Sequence, residues 1–411
     1  MISYKTYNKI DLPWLSAIPS HWKLIGLNLM FSDNNTKNEG ILETNILSLS
    51  YGNIIKKKKE ENYGLTPASY ETYQIINPGY IVLRLTDMQN DHKSLRVGLT
   101  KERGIITSAY TGLIPKQNVN STYFYYLLHT LDLVKYIYVL GGGVRQSSDF
   151  NEIKKLKLPF PPLQEQIGIA KYLDEKCNSI SSLLEKKKQL IGKYREKINV
   201  IVQTSTEKNN PISQFWLSIS DSWGIEKAKR IFTEVNSKNH PKEELLAATQ
   251  DRGVILKSLC EQDFVSPSGD YDGLKLVTEN DFVISLRSFQ GGIEHSAYRG
   301  IISPAYTVIR LKPPYNNEYY NRYFKYLFKT PQMISLLNTA ISGIREGKNI
   351  NWVDFCDLPL PIPSVEDIEK MQDDFDRYEH LVKVFEKEKK LLEEYKATII
   401  AEVVTGKIKV S

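Results

Sequence analysis

Several short stretches of the 411-residue chain have residue types and spacings that could carry chemistry, and each stops short of it. Lys312–Pro–Pro–Tyr315 has the shape of an Asn/Asp-Pro-Pro-aromatic turn, whose first side chain accepts a hydrogen bond from a target amine. Here that place holds a lysine, and an ammonium only donates. Gly343–Ile–Arg–Glu–Gly–Lys–Asn349 resembles a phosphate-cradling loop, but it is one residue short and ends in Asn instead of Ser or Thr. Gly141–Gly–Gly143 reads as a flexible turn, and the six histidines are scattered without metal-ligand spacing. The expectation is a non-catalytic chain with neither metal nor cofactor of its own.

Composition sets wider bounds. Hydrophobic content of 41% and charged content of 25% are those of an ordinary globular protein. The length implies two to four domains, because single cores stop growing near ~250–300 residues. Cys177, Cys260 and Cys356 form no disulfide framework, which points to a reducing, cytoplasmic setting. No apolar run approaches the ~18–20 residues that span a bilayer, and MISYKTYNKIDLPW lacks a signal-peptide pattern. A net charge of +6 permits a nucleic-acid partner without requiring one.

The scaffold that would hold any functional residue is written twice. RGIITSAYT at 103–111 returns as RGIISPAYT at 299–307, with seven of nine positions identical. The echo runs along the chain at a shift of about 200. Ile18–Trp22 falls on Ile219–Trp223, Gln89 on Gln290, and Tyr123–Phe–Tyr–Tyr–Leu on Tyr323–Phe–Lys–Tyr–Leu. Gly143–Val–Arg145 matches Gly343–Ile–Arg345, and Leu158–Pro161 matches Leu358–Pro361. Each copy begins with short apolar runs such as Tyr80–Leu85, Phe282–Leu286 and Tyr306–Leu311, broken by Gly, Pro, Asn and Asp. Those predict strands and loops, with a helix near Tyr123–Tyr136.

A Pro-rich hinge, LPFPPLQEQ or LPLPIPSVED, then opens a long polar stretch. Proline cannot continue a helix from inside, and Glu165, Glu366 and Asp367 suit the positive end of a helix dipole. In the first stretch Ala170, Leu173, Cys177, Ile180, Leu184, Lys187, Ile191, Tyr194, Ile198 and Ile201 recur at spacings of three and four. Leu381, Phe385, Glu388, Leu392, Tyr395 and Ile399 do the same in the second. Such seams predict coiled-coil helices, with Lys187 and Glu388 as opposite charges able to set register. Helices of ~38 residues would be ~57 Å long at ~1.5 Å per residue. An α+β chain follows, with two tandem-repeated globular heads and two long helices paired antiparallel about a pseudo-twofold axis. The boundaries fall at 1–160 for the first head, 161–208 for the first helix, 209–361 for the second head and 362–411 for the second helix.

This order of head, hinge, long helix, head, hinge and long helix resembles the specificity subunit of type I restriction–modification systems. The residues that carry the resemblance are LPFPPLQEQ (158–166), IPSHW (18–22), GIISPAY (300–306) and EVVTGKI (402–408). The second hinge departs from the pattern, with PIPSVED in place of PPLQEQ. The resemblance implies that each head is a target-recognition domain reading one half of an asymmetric bipartite site in double-stranded DNA. It implies helices that set the gap and dock two adenine-methyltransferase subunits. Two restriction/translocase subunits join where a restriction enzyme is completed. S-adenosylmethionine, ATP and Mg would belong to those partners, and no membrane is involved. The alternative from the residues alone is a two-headed coiled-coil adaptor for protein or glycan, which salt-sensitive duplex binding would separate.

Under the DNA reading, phosphates call for Lys and Arg, and base edges for Arg, Lys, Asn and Gln. Arg84, Gln89, Asn90 and Lys93 crowd one loop of the first head; Arg287, Ser288 and Gln290 occupy its counterpart in the second. Arg103 and Arg299, Arg145 and Arg345, with Lys348, recur in both copies and are expected to do sequence-independent work, either phosphate contact or internal pairing. Trp22 and Trp223 are expected in the core. The docking and seam positions are Leu173, Ile180, Leu184, Lys187, Ile191, Tyr194, Ile198, Leu381, Phe385, Glu388, Leu392, Tyr395 and Ile399.

Overall fold

A computed structural model describes residues 2–57, 69–88, 94–140, 148–203, 223–260, 271–339 and 350–410. The chain divides into two compact units, Met1–Glu185 with Lys387–Ser411, and Lys186–Glu386.

In the first unit the head is framed by β1 (Phe31–Asp33), β2 (Leu47–Ser50), β3 (Asn53–Lys56), β4 (Ile81–Leu83), β5 (Val97–Leu99), β6 (Gly104–Ile106) and β7 (Thr111–Pro115). Four of these form an antiparallel sheet in the order β1-β7-β4-β5, and β2 and β3 form a separate hairpin. Continuous apolar runs such as Ile81–Val–Leu83 are buried throughout, as strands covered on both faces must be. Helix α1 (Ser121–Leu133) starts where the Asn120 side chain accepts from the Tyr123 amide. It buries Tyr123, Phe124, Leu127 and Leu131 at helical spacing.

The long helix α2 (Leu163–Ile201) follows the hinge, whose Lys157–Phe160 segment is a strand paired with Lys23–Gly26. The hinge is clamped from the head. Trp22 is buried and donates its indole N–H to Glu165 Oε2 at 2.9 Å, while His21 Nε2 lies 2.6 Å from Oε1. The acidic residue expected to serve the helix dipole therefore also receives a side chain of the IPSHW motif.

In the second unit the equivalent strands are β8 (Phe232–Val235), β9 (Leu246–Thr249), β10 (Gly253–Leu256), β11 (Phe282–Ile284), β12 (Glu294–His295), β13 (Gly300–Ile302) and β14 (Thr307–Leu311). The sheet order β8-β14-β11-β12 repeats that of the first head. The register repeats too, with Thr111 opposite Leu83 in one and Thr307 opposite Ile284 in the other. Helix α3 (Glu318–Leu327) stands where α1 stood, capped by Asn317, and α4 (Val365–Val404) follows the second hinge. Trp223 is buried and donates to Asp367 Oδ2 at 2.8 Å.

Each core takes in the beginning of one long helix and the end of the other. In the first unit Ile169, Ala170, Leu173 and Cys177 of α2 share a cluster with Ile399, Ile400, Val403 and Val404 of α4. In the second, Ile198 of α2 joins Ile368, Met371 and Phe375 of α4, and Lys197 Nζ meets Asp374 Oδ1 at 2.6 Å. Ends of opposite polarity thus meet in each core, as antiparallel pairing requires. A tyrosine from each head closes the helix that ends there. Tyr123 donates to the Val404 carbonyl at 2.9 Å, and Tyr323 to that of Val202 at 3.3 Å. Beyond α4, Gly406 adopts a left-handed φ of 75° and the Lys407 amide returns to the Glu402 carbonyl, a glycine C-cap.

The burial pattern corrects one seam position. Leu173, Ile180, Ile198 and Ile399 are buried and Leu184, Lys187, Ile191, Tyr194, Leu381, Phe385, Glu388 and Leu392 half-buried, but Tyr395 is 50% exposed. Burial in α4 passes instead to Lys396 and Ile399, because 3.6 residues per turn carries a straight helix off a strict seam. The sequence reading also omitted the buried start of that seam, Ile368, Met371 and Phe375. Among the described residues no helix is long and apolar enough to cross a membrane, and no cluster of His, Cys, Asp and Glu could hold a metal ion.

Candidate nucleic-acid interface

Two surface elements meet in each head. One is the connection leaving the central strand, β4 or β11; the other is the turn of the β2–β3 or β9–β10 hairpin.

In the first head, β4 runs into Arg84–Met88, the described part of the candidate reading loop. Its backbone is organised by Arg96, which is fully buried. The Arg96 guanidinium donates from Nη1 to the carbonyls of Arg84 at 3.1 Å and Thr86 at 2.8 Å, and from Nη2 to that of Asp87 at 3.1 Å. On its other side Nε donates to the Tyr138 hydroxyl at 2.9 Å, and the guanidinium carbon lies 4.8 Å from that ring's centroid. The hairpin turn Tyr51–Gly52 packs at the far end of the same connection, where the chain enters β5. Gly52 lies against Leu95, and its carbonyl accepts from Tyr125 at 3.4 Å. Tyr51 occupies left-handed backbone at φ 44° and projects 74% exposed at the tip.

In the second head, β11 leads through Leu286 and Arg287 into a single helical turn, Ser288–Gly291. Arg287 and Gln290 are exposed. Ser288 is fully buried and its hydroxyl accepts from the Ser285 amide at 2.8 Å, so it shapes the loop and cannot reach a ligand. That removes it from the reading set. Gly292 turns the chain at φ 80°, where any Cβ would strike the Phe328 carbonyl. Lys329 ties the loop to the hairpin: its Nζ donates to the carbonyls of Gly291 at 3.0 Å and Gln250 at 3.1 Å and to Glu294 Oε1 at 2.5 Å. Burial pushes the Glu294 carboxyl up to about 7, with Lys329 opposing, and pushes the Lys329 ammonium down, with Glu294 opposing. The hairpin tip, Gln250–Asp251–Arg252, is exposed.

The repeated arginines have partners inside the fold. Arg103 Nε pairs with Glu43 Oε2 at 3.2 Å and its Nη1 reaches Asn77 Oδ1 at 3.1 Å. Arg299 Nε pairs with Glu243 Oε1 at 2.8 Å. Both side chains remain 53% exposed. Of the two roles open to them, these contacts supply internal pairing. The adjoining Gly-Ile-Ile segments form the buried strands β6 and β13, so that part of the echoed nonapeptide is core scaffold, while Ser108–Ala109 and Pro304–Ala305 lie exposed. Gln89, Asn90, Lys93, Arg145, Arg345 and Lys348 lie outside the described residues.

The hairpin tips and the two internally bonded cations, Arg96 and Lys329, escaped the sequence reading. The tips had a signal, since Tyr51–Gly–Asn53 and Gln250–Asp–Arg–Gly253 are turn residues between short alternating runs. Arg96 and Lys329 had none, because nothing local distinguishes a buried cation from a solvated one. The motif stretches that stopped short of catalysis are likewise explained where described. Lys312 Nζ donates to the Lys229 carbonyl at 2.7 Å, a structural tie.

Residues 96–193 match the family model for the type I restriction modification DNA specificity domain. A putative type I restriction enzyme MjaX specificity subunit of Methanocaldococcus jannaschii is 24% identical over 318 residues, spanning 72% of this chain and 71% of that one. A solved chain from work on complex assembly and conformational transition of the type I R-M system superposes with a TM-score of 0.55 at 10% identity. It covers 95% of this chain and 99% of its own, and it shares the fold. The HsdS subunit from Thermoanaerobacter tengcongensis gives a TM-score of 0.43 at 11% identity, over 95% and 98% of the two chains.

Proposed function

We propose that this chain is a specificity subunit of a type I restriction–modification system and that each head reads one half of a bipartite DNA site through its loop and hairpin tip. The observation that carries this reading is a division of labour between the copies. Scaffold features recur: the sheet order, the tryptophan–carboxylate clamp, the tyrosine at the helix end and the arginine–glutamate pair. The surface differs, with exposed Tyr51 and half-buried Arg84 in one head against exposed Gln250, Arg252, Arg287 and Gln290 in the other. A duplicated scaffold carrying unlike polar tips suits a target whose halves differ in sequence.

In this reading the chain performs no chemistry itself. Two adenine-methyltransferase subunits dock on the long helices, the helices set the gap between half-sites, and two restriction/translocase subunits complete a nuclease. S-adenosylmethionine, ATP and Mg are then used by those partners. Arg103 and Arg299 keep exposed guanidinium surface, so phosphate contact alongside their internal pairs fits the same reading.

The test is the adenine-methylation pattern of host DNA with and without this gene. A bipartite motif with unlike halves is expected, and it should disappear on deletion. An unchanged pattern would sink the proposal.

A further inference from the structure

The two heads hold their reading loops by the same device built from different residues. We propose that Arg96 in the first head and Lys329 in the second are positioning residues for sequence recognition, each fixing its loop's backbone through a cation whose donors are spent inside the head, Arg96 fully buried and Lys329 largely so. The inference rests on the DNA-reading role proposed above, and it adds residues that never touch DNA.

The argument begins with cost. A buried cation is expensive unless its donors are met, so its partners become fixed points of the structure. Arg96 spends its Nη donors on three carbonyls of one short loop, those of Arg84, Thr86 and Asp87. A planar fork imposes direction as well as distance, which a lysine in its place would not. Lys329 uses the three donors of an ammonium on the Gly291 carbonyl of the loop, the Gln250 carbonyl of the hairpin turn and Glu294 of β12. It thereby sets loop and hairpin tip at one spacing. Base readout depends on side chains held to a fraction of an ångström, and such support comes from the residues behind them.

The cations also stand at unrelated places in the repeat. Arg96 precedes β5, whereas Lys329 follows α3. Each loop is therefore held by its own pin, and disturbing one pin should disturb one half-site.

The experiment replaces the chromosomal gene with variants of the full chain and reads the host methylation motif. Arg96→Lys keeps the charge and loses the fork; it should relax the first half-site about tenfold and leave the second intact. The double variant Lys329→Met with Glu294→Gln should do the reverse. Tyr138→Phe, which frees Arg96 Nε, gives a milder substitution and should relax the same half as Arg96→Lys. Arg84→Ala and Arg287→Ala change loop side chains directly. If those alter the motif and the pin variants do not, the positioning role is wrong and DNA reading stands. If neither set alters it, the reading role fails and the inference falls with it. Equal relaxation of both halves by either pin variant would mark general destabilisation and overturn the proposal, as would loss of all methylation in Arg96→Lys beside an unchanged motif in Tyr138→Phe.

Discussion

Half-buried histidines give each unit a measurable response to acid. His129 stacks on Tyr125 at 5.9 Å, and burial, then Lys396, lowers its pKa to about 4. His295 packs on Phe282 at 5.2 Å and is lowered to about 4 by burial, then Lys325, with Glu379 opposing. A folded-state pKa below the unfolded value of about 6.5 means that the unfolded chain binds more protons between those limits. The contribution of each histidine should therefore be level above pH ~6.5 and fall with acidification toward pH ~4, by up to about 1.4 kcal/mol per pH unit, against the opposite slope of the raised Glu294 carboxyl. Urea unfolding from pH 7 to pH 4.5 measures this slope, and His129→Gln should flatten it. An unchanged slope in that variant would show that its acid response lies elsewhere. The tryptophans act at the same scale. An indole N–H given to a carboxylate in the first turn of a long helix fixes hinge geometry through one charge-assisted bond in each copy.

At the scale of elements, the long helices are amphipathic along a stripe, and that stripe is where substitution should matter. Leu173 is fully buried in the first core, so Leu173→Ala should cost about 2–5 kcal/mol through lost packing and the cavity left behind. Tyr395 is 50% exposed, so Tyr395→Ala should stay within about 0.5 kcal/mol of the parent. Thermal unfolding of the two variants measures the contrast, and equal costs would contradict the burial pattern. The hairpins belong to this scale as well. Each is a short turn held by side chains from elsewhere in its head, Leu95 and Tyr125 in one and Lys329 in the other.

For the whole chain, duplication predicts that specificity is modular. Tyr51→Ala should change preference in one half of the target and Arg252→Ala in the other, each leaving the opposite half as it was. A selection from duplexes with both halves randomised reads this directly, and a change in both halves from one substitution would contradict it. With a net charge of +6, binding should weaken as salt rises, and removal of a phosphate-contacting arginine should lower that log–log slope by about one.

Much of this was already written in the residue order. The repeat follows from echoes such as RGIITSAYT in RGIISPAYT, and the long helices from apolar residues three and four apart, both local patterns that survive in a linear chain. The buried Trp22 and Trp223 were legible for the same reason. The surface proposed to read DNA had only a local polar signal in the sequence. Arg84, Arg287 and Gln290 stood out as polar residues after a strand, but Ser288 in the same stretch turned out to be buried loop structure. Only folding decided that the Gln250 tip lies beside the second head's loop, and that Arg103 faces Glu43, 60 residues away. It also decided that Lys329 spends its donors inside the head. The physical reason is that a polar side chain takes its role from the partners it meets. Those partners are brought by strands distant in sequence, whereas periodicity in apolar residues declares an element's buried face before any partner arrives.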